Sequence, residues 1–248
     1  MKKILIFIMM VALLPMLSSC SVDFDEISAD IEHGTLFSSK EEKLEKAFER
    51  MYETSYTMEG AMRLDITLSA NGQTQKQTTI TDMLVERDAN QSYTESTTNG
   101  QTESVYTKIN GDYVDIYTMI TGYWVHETET LERYEEDNES FFMNIDFHDV
   151  FEYKDGVFVG DTKILSDCLE EYSSVVASAL GSGMKVDRFE VQKYDVTMEK
   201  GEISEMDIVM VVEVSYYSQK IELVMSMPMT VSKVGKTEVT VPTGITLK

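Results

Sequence analysis

YTMEGAMRLDITLSANG, residues 56–72, is the stretch that decides the fold. From Tyr56 to Ala70 the even positions read Tyr, Met, Gly, Met, Leu, Ile, Leu and Ala, while the odd ones are mostly Thr, Glu, Arg, Asp and Ser. A period of two with one apolar side describes a long strand, half buried against a core. Asn71-Gly72 ends it with a strong hairpin signal, because both central residues of a type I′ turn need positive φ. The same device returns at Asn99-Gly100 and Asn110-Gly111, with Lys200-Gly201 as a weaker relative. Between these turns lie polar, Thr-rich segments, Gln75 to Arg87, Gln91 to Thr98, Thr102 to Ile109 and Tyr113 to Met119, and Thr121 to Thr130 adds a strand around Trp124. Together they predict an antiparallel meander. The acidic stretch Leu131 to Glu139 reads as an exposed connection.

Two amphipathic helices flank this meander. Ser39 and Glu42 form a capping box, after which Leu44, Ala47, Phe48, Met51 and Tyr52 share one face as far as about Thr54. From Thr162 to Leu180 the residues Ile164, Leu165, Cys168, Leu169, Tyr172, Val175, Val176, Ala179 and Leu180 trace a second stripe. Asp161 caps its start and Gly181-Ser182-Gly183 stops it. Cys168 lies within the stripe and reads as a small buried hydrophobe. Strands then resume over Met184 to Glu199, Ile203 to Ser215, Lys220 to Val231 and Thr237 to Val241. In the first of these the apolar phase changes near Gln192-Lys193, which predicts a bulge.

The order is helix, four or five meandering strands, helix, then three or four long strands. It predicts a mainly β (α+β) domain, one curved antiparallel sheet or half-open β-barrel with both helices on the concave face. This layout resembles the LolA/LppX-like lipoproteins, and also a group of uncharacterised lipoproteins of Gram-positive type with a leading helix, paired Gly turns and a tryptophan-bearing hairpin, here Gly111 to Trp124. The resemblance covers about Ser39 to Val241 and rests on layout, not on an invariant motif. It implies an incompletely closed barrel plugged by helices, with acyl chains or whole lipoproteins carried between sheet and helices. No pocket-mouth residue transfers from it.

The N-terminus supplies a setting. Lys2 and Lys3 precede an apolar run, Ile4 to Leu14, too short for a settled transmembrane span, and Leu17-Ser18-Ser19-Cys20 follows. This pattern resembles the lipobox of bacterial lipoproteins, which implies cleavage before Cys20 and acylation of its thiol; an ordinary signal peptide with an incidental cysteine is the alternative. Two acyl chains would hold the protein on a membrane surface. The expected organisation is therefore a signal peptide over 1–19, a lipidated cysteine and tether over 20–38, and a single domain over 39–248, extracytoplasmic and anchored to the cell membrane.

Composition narrows the function classes. Removing residues 1–19 leaves 248 less 19, or 229, enough for a core without disulfide staples. Cys168 is then the only thiol besides Cys20, so no internal disulfide is expected. The formal charge is −23, or −25 once Lys2 and Lys3 are lost, which repels nucleic acid and anionic head groups from the body of the domain. No cofactor is expected, and a monomer is. His33, His126 and His148 are scattered, and Asp146-Phe147-His148-Asp149 reads as a solvated cluster, not a metal site. No nucleophile elbow, phosphate-binding glycine loop or His-Glu-x-x-His helix is present, so no enzyme is predicted.

Thirteen of the seventeen methionines follow Cys20, many on inward strand positions: Met58, Met62, Met198, Met206, Met210, Met225 and Met227. Methionine is flexible and polarizable, suited either to lining a loosely fitting lipid cavity or to filling gaps in an ordinary core. The candidate ligand-binding set is Met58, Met62, Leu64, Ile66, Tyr172, Val176, Met210, Val212 and Met225. The function expected is binding or shuttling of a lipid or other hydrophobic ligand, with a solidly packed envelope interaction module as the alternative.

Overall fold

The computed structural model describes residues 38–70, 72–137, 147–170, 184–199, 201–217 and 219–245. The expected signal peptide, Cys20, most of the tether, and Tyr172 and Val176 lie outside the described residues. Among the described residues eleven strands form one antiparallel sheet: β1 (Tyr56–Ala70), β2 (Gln73–Arg87), β3 (Gln91–Thr98), β4 (Gln101–Asn110), β5 (Tyr113–Ile120), β6 (Tyr123–Thr130), β7 (Phe151–Lys154), β8 (Val157–Gly160), β9 (Met184–Glu199), β10 (Glu202–Tyr216) and β11 (Gln219–Ser232). Their spatial order is β6-β5-β4-β3-β2-β1-β11-β10-β9-β8-β7. The sheet is thus two meanders of consecutive strands, β1 to β6 and β7 to β11, joined by pairing of the first strand with the last. The first meander has six strands, and the short β7–β8 hairpin was not foreseen.

The seam between the meanders has its own chemistry. β1 lies beside β11 from Thr57 opposite Ser232 to Ser69 opposite Lys220, but the ladder skips Ala61 and Met62. There β11 carries Pro228, which has no N–H to give to a neighbour. Gly60 lets the two backbones close in at this point: a Cβ on it would collide with the Pro228 carbonyl oxygen and lie 3.1 Å from Met229 Cα.

Turn chemistry follows the sequence in part. Asn99 and Gly100 both have positive φ, 52° and 75°, as a type I′ turn requires. At the next hairpin Asn110 lies opposite Tyr113, so the loop is Gly111-Asp112 and only Gly111 is left-handed. The I′ expectation for Asn110-Gly111 is therefore corrected by a one-residue shift. The predicted bulge is present: Val209 faces Lys193 and Met210 faces Val191, which leaves Gln192 unpaired.

Helix α1 (Lys40–Glu53) starts at the expected capping box, with Glu42 N–H donating to Ser39 Oγ at 3.1 Å and Ser39 N–H to the Glu42 carboxylate at 3.0 Å. Its buried face is Leu44, Ala47, Phe48, Met51 and Tyr52, as the stripe predicted. Arg50 ties its last turn to the β9–β10 turn, donating to Glu202 at 3.2 Å and to the Gly201 carbonyl. Residues 131–137 of the exposed connection expected over Leu131 to Glu139 form a short helix, α2 (Leu131–Asp137), with Glu132 and Arg133 exposed. Helix α3 (Phe147–Val150) leads into β7, and α4 (Thr162–Glu170) begins the second predicted stripe, whose continuation from 171 to 180 is outside the described residues. Asp161 caps α4 through Lys163 and Ile164 N–H, at 2.9 and 3.0 Å. Leu165 is fully buried and Cys168 packs against the core.

Thr237 to Val241 is not a strand. The segment leaves β11, hydrogen-bonds Ser55 and Thr57 through Thr237, and buries Val239 against Tyr106 of β4 and Tyr117 of β5. Trp124 of β6 donates to the Thr243 carbonyl at 3.2 Å. Its alternation is real, but the apolar side chains press down on the face of the sheet instead of pairing along an edge.

Candidate functional site

Register assigns the two faces. Met58, Met62 and Leu64 alternate with Glu59, Arg63 and Asp65 along β1, so the former share the face that packs against α1 and the latter the opposite face. On the α1 face, Leu64, Met225, Met210 and Val191 make one continuous row across β1, β11, β10 and β9, and Ile66, Leu223, Val212 and Phe189 make another. Cross-strand neighbours of this kind sit close enough to pack directly.

The structure brings most of the candidate residues together. Met58, Met62, Met210, Val212 and Met225 are buried in one core cluster with Leu44, Phe48 and Met51 of α1, and Leu64 is partly buried against it. Ile66 is half-buried further along β1, outside that cluster. Met206 and Met227 are also in the core, while Met198 is partly buried at its margin.

One end of this apolar face is polar. Tyr56 lies opposite Arg87, Arg87 opposite Ser92, and Ser92 opposite Thr107, a single row across β1 to β4. The Arg87 guanidinium donates to the Tyr56 hydroxyl, and the Ser92 and Thr107 hydroxyls are 2.6 Å apart. Tyr134 of α2 is hydrogen-bonded to Thr107. Tyr52 of α1 meets Tyr56 edge-to-face with ring centroids 6.3 Å apart. Burial pushes the Tyr52, Tyr56 and Tyr194 phenols up, and Arg87 opposes this for the first two. All three are neutral hydroxyls at physiological pH. A signal was present: Arg87 shares its parity along β2 with Met83 and Val85, which puts a cation on the apolar side.

The opposite face holds a second cluster. Glu86, Tyr93, Tyr106, Tyr117 and His126 form one row across β2 to β6. Tyr117 stacks on His126 with centroids 4.6 Å apart, and His126 Nε2 is 2.8 Å from Asp115 Oδ1. Thr128 and Asn110 also donate to Asp115, whose carboxyl is held below its usual range, first by the His126 hydrogen bond. The arrangement has the form of a buttress beneath the C-terminal segment. Among the described residues no group of three or more His, Cys, Asp or Glu side chains is placed to hold a metal ion. No helix among them is long and apolar enough to cross a membrane.

No protein-family model matches the chain, and no curated protein matches it. Among solved structures it is similar to the ywiB protein from Bacillus subtilis, at 5% identity and a TM-score of 0.20, over 71% of this chain and 91% of that one. It is also similar to a DUF1329 family protein from Desulfovibrio piger, at 8% identity and a TM-score of 0.23, over 82% and 93%. Scores this low carry no argument about fold or function.

Proposed function

We propose that the protein is a membrane-anchored extracytoplasmic lipoprotein whose sheet curves into a half-barrel around its helices and binds or shuttles a hydrophobic ligand on that face. The observation that carries this reading is the convergence of Met58, Met62, Met210, Val212 and Met225 with the apolar stripe of α1 in one methionine-rich cluster. Methionine side chains rearrange at low cost, so such a lining accepts an acyl chain without a fixed shape. The N-terminal Lys-apolar-Cys20 pattern supports the location. No catalytic role enters this reading.

One observation favours a second reading. Met210 and Met62 are only 4% and 7% exposed, as in a filled core. A packed interaction module of the cell envelope would look the same here. Replacing Met62 and Met210 together with tryptophan separates the two. A carrier would lose uptake of a fluorescent acyl probe while staying folded, because the bulk fills ligand space. Loss of thermal stability by the same amount with and without probe would place both residues in a packed core and refute the carrier.

A further inference from the structure

The interior of the domain is not uniformly apolar, and its polar end has an unfilled valence. Tyr52 is 5% exposed and its hydroxyl has no hydrogen-bond partner among the described residues. Buried hydroxyls are nearly always paired, and leaving one unpaired costs more than a typical hydrogen bond contributes. A well-packed core would satisfy it with a neighbour or place phenylalanine there. Beside it stands Arg87, on the same face by register and donating to Tyr56. Among the described residues no carboxylate forms an ion pair with Arg87, whereas Arg50 and Arg63 are each paired with one and Arg188 with two. In a chain with 44 acidic and 21 basic residues, an inward arginine left without a carboxylate is conspicuous.

We propose that Arg87, Tyr56 and Tyr52 form a head-group site for an anionic single-chain amphiphile whose tail lies along the methionine rows. This rests on the hydrophobic-ligand reading above and adds the chemistry of the ligand's polar end. The guanidinium supplies charge-assisted donors to a carboxylate or phosphate, and the Tyr52 hydroxyl supplies the donor that has no other partner. The net charge of −23 opposes entry of an anion. At physiological salt that repulsion fades beyond about 8 Å, so the local cation outweighs the distant carboxylates. The row Ser92 and Thr107 with Tyr134 extends hydroxyl character away from Arg87, enough to keep a polar head solvated. The apolar rows begin one residue pair along, where Met58 lies opposite Val85.

The test is a titration of the protein lacking residues 1–20 with palmitate, hexadecyl phosphate and uncharged monopalmitoylglycerol. The wild type is expected to bind at least one of the two anions about tenfold more tightly than the neutral lipid. Whichever of the two binds more tightly identifies the head group as carboxylate or phosphate. Arg87→Gln should remove that preference while leaving monopalmitoylglycerol unchanged, and Arg87→Lys should restore part of it. Tyr52→Phe should weaken anion binding about threefold to tenfold without lowering the melting temperature of the unliganded protein, since it removes an unpaired hydroxyl. Equal affinity for charged and neutral lipids, unaffected by Arg87→Gln, would overturn the head-group site and leave the carrier reading standing. No binding of any of the three would overturn both.

Discussion

Gly60→Ala is the substitution whose effect the structure fixes most closely. The new Cβ would collide with the Pro228 carbonyl oxygen and sit 3.1 Å from both Met229 Cα and Met229 Cγ. Only the last of these can rotate away. The ladder is paired on both sides of the gap, from Thr57 to Gly60 and from Arg63 to Ser69, so β1 and β11 cannot separate locally without losing those pairs. Overpacking costs roughly 1–3 kcal/mol, and contact with immovable backbone belongs at the upper end. Against this, removing a strand glycine contributes about 0.5–1 kcal/mol. The clash wins by about 2 kcal/mol, which for a domain of this length lowers the melting temperature by roughly 4–8 °C. Thermal unfolding followed by far-ultraviolet circular dichroism measures it, with exposed Glu59→Ala as a near-neutral control. A melting temperature equal to or above that of the wild type would show that Gly60 and Pro228 are not matched and that the seam is looser than described.

Three further outcomes follow from other parts of the molecule. Trp124 is the only tryptophan; removing residues 237–248 should shift its emission to the red and increase acrylamide quenching, and unchanged emission would mean the segment does not cover it. Asp115, held below its usual range by His126, Thr128 and Asn110, contributes stability above its unfolded pKa that is lost as pH falls through its lower folded value. Asp115→Asn should therefore destabilise at neutral pH and converge with the wild type in strong acid, whereas a gap independent of pH would contradict this. Leu165→Ala, at a side chain with no exposed surface, should cost about 2–5 kcal/mol in denaturant unfolding, and a loss below about 1 kcal/mol would show that α4 docks weakly.

The sheet was legible because alternation and Asn-Gly or Lys-Gly turns are local signals, and they marked nine strands of the observed eleven. The β7–β8 hairpin was missed although Asp155-Gly156 carries a strong turn signal, because strands of four residues are too short for alternation to register. Thr237 to Val241 was misread for the opposite reason: its period of two is genuine, but periodicity cannot tell pairing along an edge from lying across a face. Likewise Leu131 to Asp137 was judged on its charge, yet Tyr134 hydrogen-bonded to Thr107 gives that short helix a foothold on the sheet. Met58, Met62, Leu64, Met210, Val212 and Met225 share one cluster because parity along a strand fixes a face. Arg87 is hidden from a linear reading because pairing across strands sets it opposite Tyr56 from a position 31 residues away, and Tyr52 reads as one more member of the α1 stripe, which does not disclose what its hydroxyl faces.

Native mass spectrometry with lipid extraction, on protein lacking residues 1–20 purified without added lipid, tests the central claim most directly. The carrier reading predicts a stoichiometric adduct that passes into organic solvent and carries an acidic head group. A clean mass that persists after incubation with membrane lipids would contradict it and leave a packed interaction module.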